Sequence, residues 1–588
     1  MFPVRPNEPE YARLKDPVSL EKNRYGTSIE TVPEGHELRG QSLRINGDEA
    51  IGPNPNRYKQ HGFFFNADNC IACHACEAAC SEKNDNPAHI AFRSVGFVEG
   101  GTYPNYQRIN ISMACNHCDN PVCLKGCPTR AYTKFAEYGA VLQDPDICFG
   151  CGYCTWVCPY NAPQLDPVKG QVSKCNMCVD RLEVGLKPAC VSACLGKALD
   201  FGVVENIPEG RSQAKTEIPG FPRTDITHPN VRFQQTRVTQ RDMVRVDSTP
   251  LKYHKDDGNG KFEPVLDPKY GFTRQWNLKK LLGSHENAHI AFTLSAQSVM
   301  GAFVMLMSGA FAGLDSGLTL IVMLALMSFG LFKLNMHLGK PHRFYRGFNN
   351  WRLSPVSREI AGVSLFFGGL AGTTFFTLFP GFPFAELLKP AAMLAGLVGI
   401  SFGGYYMYKL YRIKARPFWD HWQTGSSFIG TGLGLGGLLL GLLGLAQGAM
   451  TAEDAAALGS LMALGFALEG IGLWAHARAM NQRGNEGAAS HYEQTTRYGW
   501  PYLIRNGLLG LSLALAALLT LTGSASLFAP LLVTAMAAAI LGRALFYVLV
   551  IPTTMPGAFF WRNKGFVEHA KETGLAEMPQ LGVVPDSH

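Results

Sequence analysis

The stretch Cys70-Ile-Ala-Cys73-His-Ala-Cys76-Glu-Ala-Ala-Cys80 decides the fold of the first half of this chain. Its spacing is the bacterial ferredoxin run, in which the fourth cysteine ligates the other cluster of a two-cluster pair. Three more groups of four follow, and no cysteine lies elsewhere in the sequence. These groups are Cys115-x2-Cys118-x4-Cys123-x3-Cys127, Cys148-x2-Cys151-x2-Cys154-x3-Cys158 and Cys175-x2-Cys178-x11-Cys190-x3-Cys194. Sixteen thiolates in four groups predict four 4Fe-4S clusters.

Zinc is the main alternative, because Cys-x2-Cys pairs also build tetrahedral sites. A zinc site of this kind needs two pairs, so the third cysteine of each short run would have no role. Disulfides suit small secreted domains, whereas the cysteines within these runs are too close to pair productively. We therefore favour iron–sulfur ligation.

Composition divides the chain into two unlike halves. Residues 1–285 are polar, whereas residues 286–552 are dominated by Leu, Gly, Ala, Phe and Met. The net charge is +7, from 53 Lys and Arg against 46 Asp and Glu. These charges cluster between apolar segments rather than on one face beside aromatic residues, so nucleic-acid binding is excluded. The beginning, MFPVRPNEPEY, has no apolar h-region and no twin-arginine pair, so we expect an unexported domain in a reducing compartment.

The predicted fold class is an α+β double ferredoxin-like iron–sulfur domain followed by an all-α bundle of eight transmembrane helices. Residues 1–60 show no helical or strand period, which predicts either a disordered tail or an extended arm on a partner subunit. Within the connecting segment, residues 252–263 predict a hairpin or surface loop. The predicted domains are the N-terminal extended arm 1–60, the four-cluster domain 61–202, the polar connecting segment 203–285, the membrane anchor with a quinone site 286–552 and the cytoplasmic tail 553–588.

Eight segments are long and apolar enough to cross a bilayer, which needs about twenty residues. They lie at about 287–312, 317–337, 359–380, 385–408, 425–450, 454–476, 502–523 and 527–550. Lys and Arg are frequent in the loops after the second, fourth and sixth spans, whereas the loops on the other side have none. By the positive-inside rule these loops, both termini and the iron–sulfur domain face the cytoplasm. We therefore expect a multi-pass protein of a bacterial cytoplasmic membrane.

Three residues of the membrane half are candidates for chemistry. His337 ends the second span, where it either snorkels and caps carbonyl groups or binds a quinone oxygen and exchanges protons. Glu469 and Arg543 are ionisable groups inside apolar runs, which usually face a partner or a wet cavity. By these span limits both lie seven or eight residues from a cytoplasmic helix end, so we expect a similar depth, and either pairing or a shared quinone pocket. His289 and His476 are weaker candidates.

We predict no haem. Two histidines that ligate one haem must face each other across spans, and only His337 lies convincingly near the cytoplasmic ends. The Cys-x-x-Cys-His run of covalently attached haem is also missing.

Both halves resemble the same family. The four cysteine groups are similar to those of the iron–sulfur subunit of the dimethyl sulfoxide reductase family. The stretches His337-Leu-Gly-Lys-Pro-His-Arg343, Ser354-Pro-Val-Ser-Arg-Glu-Ile360 and Gly542-Arg-Ala-Leu-Phe-Tyr547 resemble that family's eight-helix membrane anchor subunit. Together the resemblances cover most of residues 61–552, so the chain resembles the two subunits fused. They imply a separate partner subunit that carries molybdopterin and the substrate site.

The resemblance also implies crossed ligation in four sets. The first set is Cys70, Cys73, Cys76 and Cys194, and the second set is Cys80, Cys175, Cys178 and Cys190. The third set is Cys115, Cys118, Cys123 and Cys158, and the fourth set is Cys127, Cys148, Cys151 and Cys154. Some relatives have Trp in place of the second cysteine of the third group and hold a three-iron cluster. Cys151 is present here, so four 4Fe-4S clusters are expected.

Dimethyl sulfoxide reductase itself works outside the cytoplasmic membrane, whereas the loop charges place this iron–sulfur domain inside. The chain is in this respect more similar to cytoplasm-facing sulfite dehydrogenases, which oxidise sulfite and pass electrons to quinone. We expect the electron-transfer and membrane-anchor subunit of a molybdopterin oxidoreductase, with menaquinone or ubiquinone in the bilayer as the membrane carrier. The alternatives are a quinol-driven reductase of an S-oxide or sulfur compound, a redox-coupled ion-translocating protein, and an anchor without a quinone site.

Overall fold

The computed structural model describes two compact units. The described residues are 7–14, 20–32, 43, 56–87, 90–205, 218–245, 250–283, 286–311 and 313–549. The first unit extends to Asp267, and the second runs from Pro268 to Ile551. The division therefore falls inside the predicted connecting segment 203–285. The predicted tail 553–588 lies outside the described residues.

The first unit is built from short strands and short helices, which confirms the predicted α+β fold class. In chain order these elements are β1 (His61–Asn66), α1 (Ala75–Asn84), β2 (Arg93–Gly100), β3 (Gln107–Ala114), α2 (Val122–Gly126), β4 (Tyr132–Lys134), β5 (Val141–Gln143), α3 (Tyr153–Val157), β6 (Gln164–Asp166), β7 (Gln171–Ser173), α4 (Val179–Leu182), α5 (Ala189–Ser192), β8 (Leu199–Val203), β9 (Val231–Gln234), β10 (Asp242–Arg245), β11 (Leu251–Lys255) and β12 (Phe262–Leu266).

Two sheets and two hairpins hold the cysteine loops. One sheet has the order β8-β1-β9, and the other has the order β12-β11-β10-β2-β3. The strands β4 and β5, and β6 and β7, form separate two-stranded hairpins. The predicted hairpin at 252–263 is formed by β11 and β12. The connecting segment is thus more than a linker, because β9 to β12 extend the sheets of the iron–sulfur unit.

The apolar run Phe63-Phe64-Phe65 makes β1 the central strand of its sheet. All six residues of β1 are buried, since β8 covers one edge and β9 the other. The ring of Phe63 packs edge to face on that of Phe201, with a centroid distance of 5.2 Å, and Phe65 packs likewise on Phe233 at 5.9 Å. Aromatic pairs of this geometry add stability beyond the area they bury.

The described part of the predicted N-terminal arm packs on the chain's own iron–sulfur unit. Ile29 is fully buried, and its carbonyl oxygen accepts a hydrogen bond from the main-chain nitrogen of Gln60. The amide of Asn23 donates to the carboxylate of Asp119 at 2.6 Å. Residues 20–32 are therefore not a disordered tail, because buried side chains and long-range hydrogen bonds fix this segment here, and an arm on a partner subunit stays a prediction.

The described residues of the second unit form an all-α bundle, and eight of their helices are long and apolar enough to cross a membrane. This number confirms the eight predicted spans. The helices are α6 (Leu278–Leu282), α7 (Asn287–Met307), α8 (Ser316–His337), α9 (Pro355–Leu378), α10 (Ala385–Lys409), α11 (Gln423–Ala446), α12 (Ala452–Met480), α13 (Ala488–Thr495), α14 (Gly499–Thr522) and α15 (Phe528–Val548).

Helices α7 and α11 lie at the centre of this bundle. The buried share of their apolar stretches is 78% and 67%, against 39% or less for the other spans. They contact each other, and both contact α15. A Cβ atom at Gly301 of α7 would overlap the carbonyl oxygen of Gly432 on α11. Small residues at such points let helices approach closely where lipid offers no hydrophobic driving force.

This close approach predicts the effect of a larger side chain. Gly301→Val should destabilise the membrane unit by about 1–3 kcal/mol, because the helices must separate to accommodate the added methyl groups. Gly368→Val on α9 is the control, since a Cβ there meets no atom within 4 Å. Thermal unfolding of the detergent-solubilised protein, followed by helical circular dichroism, should show a lower midpoint for Gly301→Val alone. Equal midpoints would contradict the account of the α7–α11 contact.

Candidate functional site

Three short helices each carry cysteines of two different sets. Cys76 and Cys80 lie one turn apart on α1, and Cys127 and Cys158 follow directly on the ends of α2 and α3. Residues four apart lie on the same face of a helix, one above the other. The first cysteine of each helix therefore joins one set, and the cysteine four residues later joins the neighbouring set. This local geometry is the physical basis of the crossed pattern that the family resemblance implies.

The loops before α3 and α4 turn main-chain N–H groups toward sulfur. Such turns require left-handed backbone, for which Gly150 has a φ of 75° and Met177 a φ of 62°. The nitrogen of Gly150 donates to the Sγ of Cys148 at 3.4 Å, and that of Met177 donates to the Sγ of Cys175 at 3.4 Å. Hydrogen bonds to cluster sulfurs are one of the means by which a protein adjusts a cluster.

The structure brings together the four cysteines of the second set. Burial, and after it the thiols of Cys190 and Cys175, raise the pKa of Cys80. Burial and Cys190 also raise the pKa of Cys178. One thiolate disfavours another only when the two are close, so these side chains converge on one site.

The cysteines of the third set also converge. Burial raises the pKa of Cys118 well above its usual value, and the thiols of Cys115, Cys158 and Cys123 raise it further. Cys158 comes from the third cysteine group of the sequence and the other three from the second group. The implied crossing between these two groups is thus reproduced in space.

The fourth set shows the reciprocal crossing. Burial raises the pKa of Cys154 well above its usual value, with further contributions from the thiols of Cys151, Cys148 and Cys127. Cys127 belongs to the second cysteine group of the sequence. It therefore lies with the third group, as the family resemblance implies.

The first set is the most exposed. Burial raises the pKa of Cys70, and its neighbouring thiols are those of Cys194 and Cys73. Cys73 is exposed, and Cys70 and Cys194 are half-buried. Cys76 is buried, and the thiol with the largest effect on its pKa is Cys190 of the second set. The first set is therefore assembled from Cys70, Cys73 and Cys194, with Cys76 at its border with the second set.

These crowded thiols fit iron–sulfur clusters. All sixteen lie among the described residues, and none of them forms a disulfide. Burial and the thiol of Cys115 raise the pKa of Cys175 to about 12, so four adjacent thiolates would be costly without positive charge among them. Iron supplies that charge, because the thiolate is the form that ligates metals. The sixteen cysteines would hold the clusters, whose reversible one-electron chemistry moves electrons.

In the membrane unit the structure joins His337 to His289. Their rings contact edge to face with centroids 4.4 Å apart, since the end of α8 lies beside the start of α7. The carboxylate of Glu286 lies 2.9 Å from the Nδ1 of His289. One ligand atom from each of these three residues lies within 4.8 Å of the others. This cluster can exchange protons with a small polar molecule, and Glu286 was missed because no periodic pattern links it to His337.

Two tyrosines extend the cluster into the bundle. The ring of Tyr547 lies 5.5 Å from that of His289, and its hydroxyl is 2.7 Å from the hydroxyl of Tyr411. In the sequence Tyr547 stands out only as part of a family motif. The sequence places only His337 convincingly near the cytoplasmic ends, and this premise is corrected by His289, whose ring contacts that of His337. The absence of haem stays a prediction, which a reduced-minus-oxidised spectrum would test.

Arg543 lies in the bundle interior, where it binds two neighbouring helices. Its guanidinium donates to Gln297 of α7 at 2.7 Å and to Thr431 of α11 at 3.2 Å, and it covers the ring of Phe428. His289 and Gln297 are eight residues apart on α7, which separates them by about 12 Å along the helix and about 80° round it. Arg543 therefore contacts α7 about two turns away from the histidine cluster.

Glu469 does not pair directly with Arg543. Within the described residues no carboxylate oxygen of Glu469 lies within 4 Å of an arginine nitrogen, although Arg543 and Arg505 are both within its electrostatic reach. The expected distance of seven or eight residues from a cytoplasmic helix end is wrong for both residues, because α12 continues to Met480 and α15 ends at Val548, whereas their similar depth in the bundle stays a prediction. At 1.5 Å per residue, Glu469 is about 16 Å from its helix end and Arg543 about 8 Å from its own.

A small cavity in the bundle contains Glu469 and an arginine that sequence reasoning missed. The lining includes Thr431, Phe466, Glu469, Arg505 and Leu509. Arg505 is 3% exposed, and its Nε and one Nη have no hydrogen-bond partner among the described residues. As a charged residue in an apolar span it carries the same signal as Glu469 and Arg543.

His476 is part of a different contact. It is buried, and its Nε2 lies 2.8 Å from the carbonyl oxygen of Phe418, whose ring it also meets edge to face. The side chain therefore fixes the loop before α11. Within the part of the chain that the structure describes, the ring and hydrogen-bond contacts of His476 do not include His337.

Two family models match the sequence. Residues 107–204 match the 4Fe-4S dicluster domain, and residues 281–549 match the DMSO reductase anchor subunit (DmsC). The first match lies in the iron–sulfur unit and the second covers all eight spans.

Several relatives match the iron–sulfur half. One chain of the anaerobic dimethyl sulfoxide reductase of Escherichia coli (strain K12) is 38% identical over 180 residues, which cover 29% of this chain and 87% of that protein. One subunit of the sulfite dehydrogenase of Allochromatium vinosum is 36% identical over 226 residues, covering 34% of this chain and 93% of that protein. The iron–sulfur subunit of the nitrate-inducible formate dehydrogenase of Escherichia coli (strain K12) is 36% identical over 179 residues, covering 27% and 60%.

Proposed function

Because this protein belongs to the dimethyl sulfoxide reductase iron–sulfur subunit family and continues into that family's membrane anchor domain, we propose that it passes electrons between a partner subunit and membrane quinone. The partner carries molybdopterin and the substrate site. The observation that carries the proposal is the crossing of the cysteine groups, since Cys80, Cys158 and Cys127 each lie among thiols of another group of the sequence. Adjacent sets share a short helix or a close pair of thiols, so the sets form one continuous line for electrons.

The first set is the proposed point of exchange with the partner subunit. Its Cys73 is exposed, and the apolar side chains beside it, Ile71 and Leu195, are 68% and 75% exposed. Exposed apolar patches mark protein interaction sites. A partner that covers this patch brings its redox centre close to the first set and keeps water away from it.

We expect Ile71→Asp to weaken this association by about 2 kcal/mol, because a buried interface position would then hold an unpaired charge. The measurement is co-purification of the molybdopterin subunit, with molybdenum content as the readout. Val168→Asp is the matched control, since Val168 is an equally exposed apolar residue of the same unit. It is 66% exposed and lies in the turn between β6 and β7. Loss of molybdenum from both variants or from neither would contradict the assignment.

The quinone end is proposed at His337. The imidazole of His337 binds a quinone oxygen and exchanges a proton with it. The adjacent His289 passes protons to or from His337. Glu286 keeps the His289 ring oriented and stabilises its charged form, which is the ordinary role of a carboxylate beside a histidine. Reduction of a quinone takes two electrons and two protons, so a quinone site needs such groups beside it.

The orientation of the spans supports a site on the cytoplasmic side. The loops after α8, α10 and α12 carry the Lys and Arg residues, and positive loops stay inside. We propose a bacterial cytoplasmic membrane with the iron–sulfur unit in the cytoplasm. This orientation favours a sulfite-oxidising partner over an S-oxide reductase.

The test uses full-length protein in detergent. After reduction with dithionite, the protein should show four 4Fe-4S signals by EPR. Mixing with a menaquinone or ubiquinone analogue should then remove these signals as the quinone takes two electrons and two protons. Clusters that stay reduced with both analogues would refute the quinone link, and fewer than four signals would refute the cluster count.

The cavity with Glu469 and Arg505 favours redox-coupled ion movement as a second candidate. Charged groups inside a bundle are costly, and they often mark proton paths. In sealed vesicles that contain the complex, turnover would then change the internal pH by more than quinone chemistry requires. If quinone chemistry fully accounts for the change in internal pH, ion movement is refuted and electron transfer is the function.

A further inference from the structure

A buried side chain lies at each junction between successive sets. The first and second sets meet at Arg93, the second and third at Lys174, and the third and fourth at Tyr132. Two of these residues are cations and one is neutral. None of them ligates iron in the proposed scheme, so each acts only through its charge and hydrogen bonds.

Arg93 begins β2 and is 1% exposed. One nitrogen donates to the Oγ of Ser112 at 3.0 Å, and that oxygen is 3.5 Å from the Sγ of Cys76. The guanidinium is also within electrostatic reach of Cys190, Cys175 and Cys80.

The burial of Arg93 is unusual because its charge has no carboxylate partner among the described residues. Its Nε and one Nη likewise have no hydrogen-bond partner there, and the ring of Phe63 covers one face of the guanidinium at 4.4 Å. An uncompensated buried charge is costly. Negative charge at the cysteine sets provides the compensation.

Lys174 lies directly after β7 and is 5% exposed. Its Nζ is 3.6 Å from the Sγ of Cys115 and donates to the carbonyl oxygens of Val141 and Cys175. It is also within electrostatic reach of Cys123. Its ammonium group therefore stands between Cys175 of the second set and Cys115 of the third.

Tyr132, the first residue of β4, occupies the third junction. It is 6% exposed and lies within electrostatic reach of Cys154 and Cys127 of the fourth set and Cys123 of the third. A phenol titrates at about pH 10, so this side chain is neutral at physiological pH. The fourth set thus has a neutral group where the other junctions have a cation.

We propose that Arg93 and Lys174 set the order of reduction potentials along the line of sets. Each one-electron reduction adds a negative charge, and a buried cation stabilises that charge in a medium that screens poorly. The second set gains from both cations, the first from Arg93 and the third from Lys174. The fourth set, beside Tyr132, gains least. This inference rests on the four sets of the proposed function.

The test is an EPR-monitored redox titration of the full-length protein. Arg93→Gln and Lys174→Gln remove one charge each and keep a hydrogen-bond donor. In each variant two midpoint potentials should fall, each by at least a tenfold change in the reduction equilibrium, which is 59 mV for one electron. The midpoint potential of the second-set cluster should fall in both variants, and that of the fourth-set cluster should change in neither.

Charge-keeping variants and a surface lysine are the controls. Arg93→Lys and Lys174→Arg should hold the potentials near those of the unmodified protein. Lys169→Gln removes an exposed charge from the hairpin that leads to Lys174, and it should change no midpoint potential. Lys174→Met tests the same charge independently if the glutamine variant does not fold.

Two results would overturn the proposal. One is unchanged potentials in Gln variants that retain four clusters, and the other is an equal fall of all four. Failure of the proposed function would look different, because the unmodified protein itself would then show fewer than four clusters.

Discussion

His337→Ala is expected to lower the rate at which quinone oxidises the reduced protein by about 100-fold or more. Positioned acid–base groups contribute about 10²–10⁴-fold to rates, and this ring both holds the quinone oxygen and exchanges its proton. The measurement is stopped-flow loss of the reduced-cluster signal after mixing with a quinone analogue. The four EPR signals themselves should remain, because the cysteine sets belong to the other unit.

His342 provides the matched control for this prediction. It lies five residues further along the same loop and is exposed, so His342→Ala should react at the unmodified rate. His289→Ala should slow the reaction less than His337→Ala, because His289 acts through its neighbour. If His342→Ala were the slow variant and His337→Ala reacted normally, the proposed quinone site would be wrong.

Cys80→Ala should remove the cluster of the second set and interrupt the line of electron transfer. Three thiolates and a methyl group cannot complete the site, and the first set then loses its neighbour. We expect one EPR signal to disappear and partner-dependent quinone reduction to fall to background. Ser81→Ala, at the next position of α1, should retain all four signals.

The comparison with Cys76→Ala tests the crossing itself. Cys76 and Cys80 lie in one short run of the sequence, but the structure surrounds Cys80 with Cys175, Cys178 and Cys190. The two variants should therefore lose different signals, distinguishable by midpoint potential. Loss of the same signal in both would mean that each cysteine run ligates a single cluster.

In the membrane half, hydropathy predicts the number of spans but not where each helix ends. Hydropathy predicted eight spans, because a span needs only enough apolar residues in a row. Helix ends are less visible, since polar residues can continue a helix beyond the bilayer. For this reason the distance of Glu469 from its helix end was misjudged, and Arg505 was overlooked close to the start of its span.

Residues 1–60 and 203–267 show the same limit in the first half. Neither segment has a clear period, so the sequence favoured an arm and a linker. In the structure Ile29 is fully buried and β9 to β12 complete two sheets. Edge strands and extended segments are ordered by the surface on which they pack. A local sequence pattern does not reveal that surface.

Three features of this protein are legible without a structure: sixteen cysteines at ferredoxin spacing, eight apolar spans, and loop charges that predict their orientation. These features are local, because a ligand spacing or an apolar run has its meaning within a few residues. Other features are visible only in the folded chain: which thiols share a site, that His289 faces His337, and that Arg93 and Lys174 stand between the sets. Those facts depend on contacts between residues far apart in the chain, which packing alone creates.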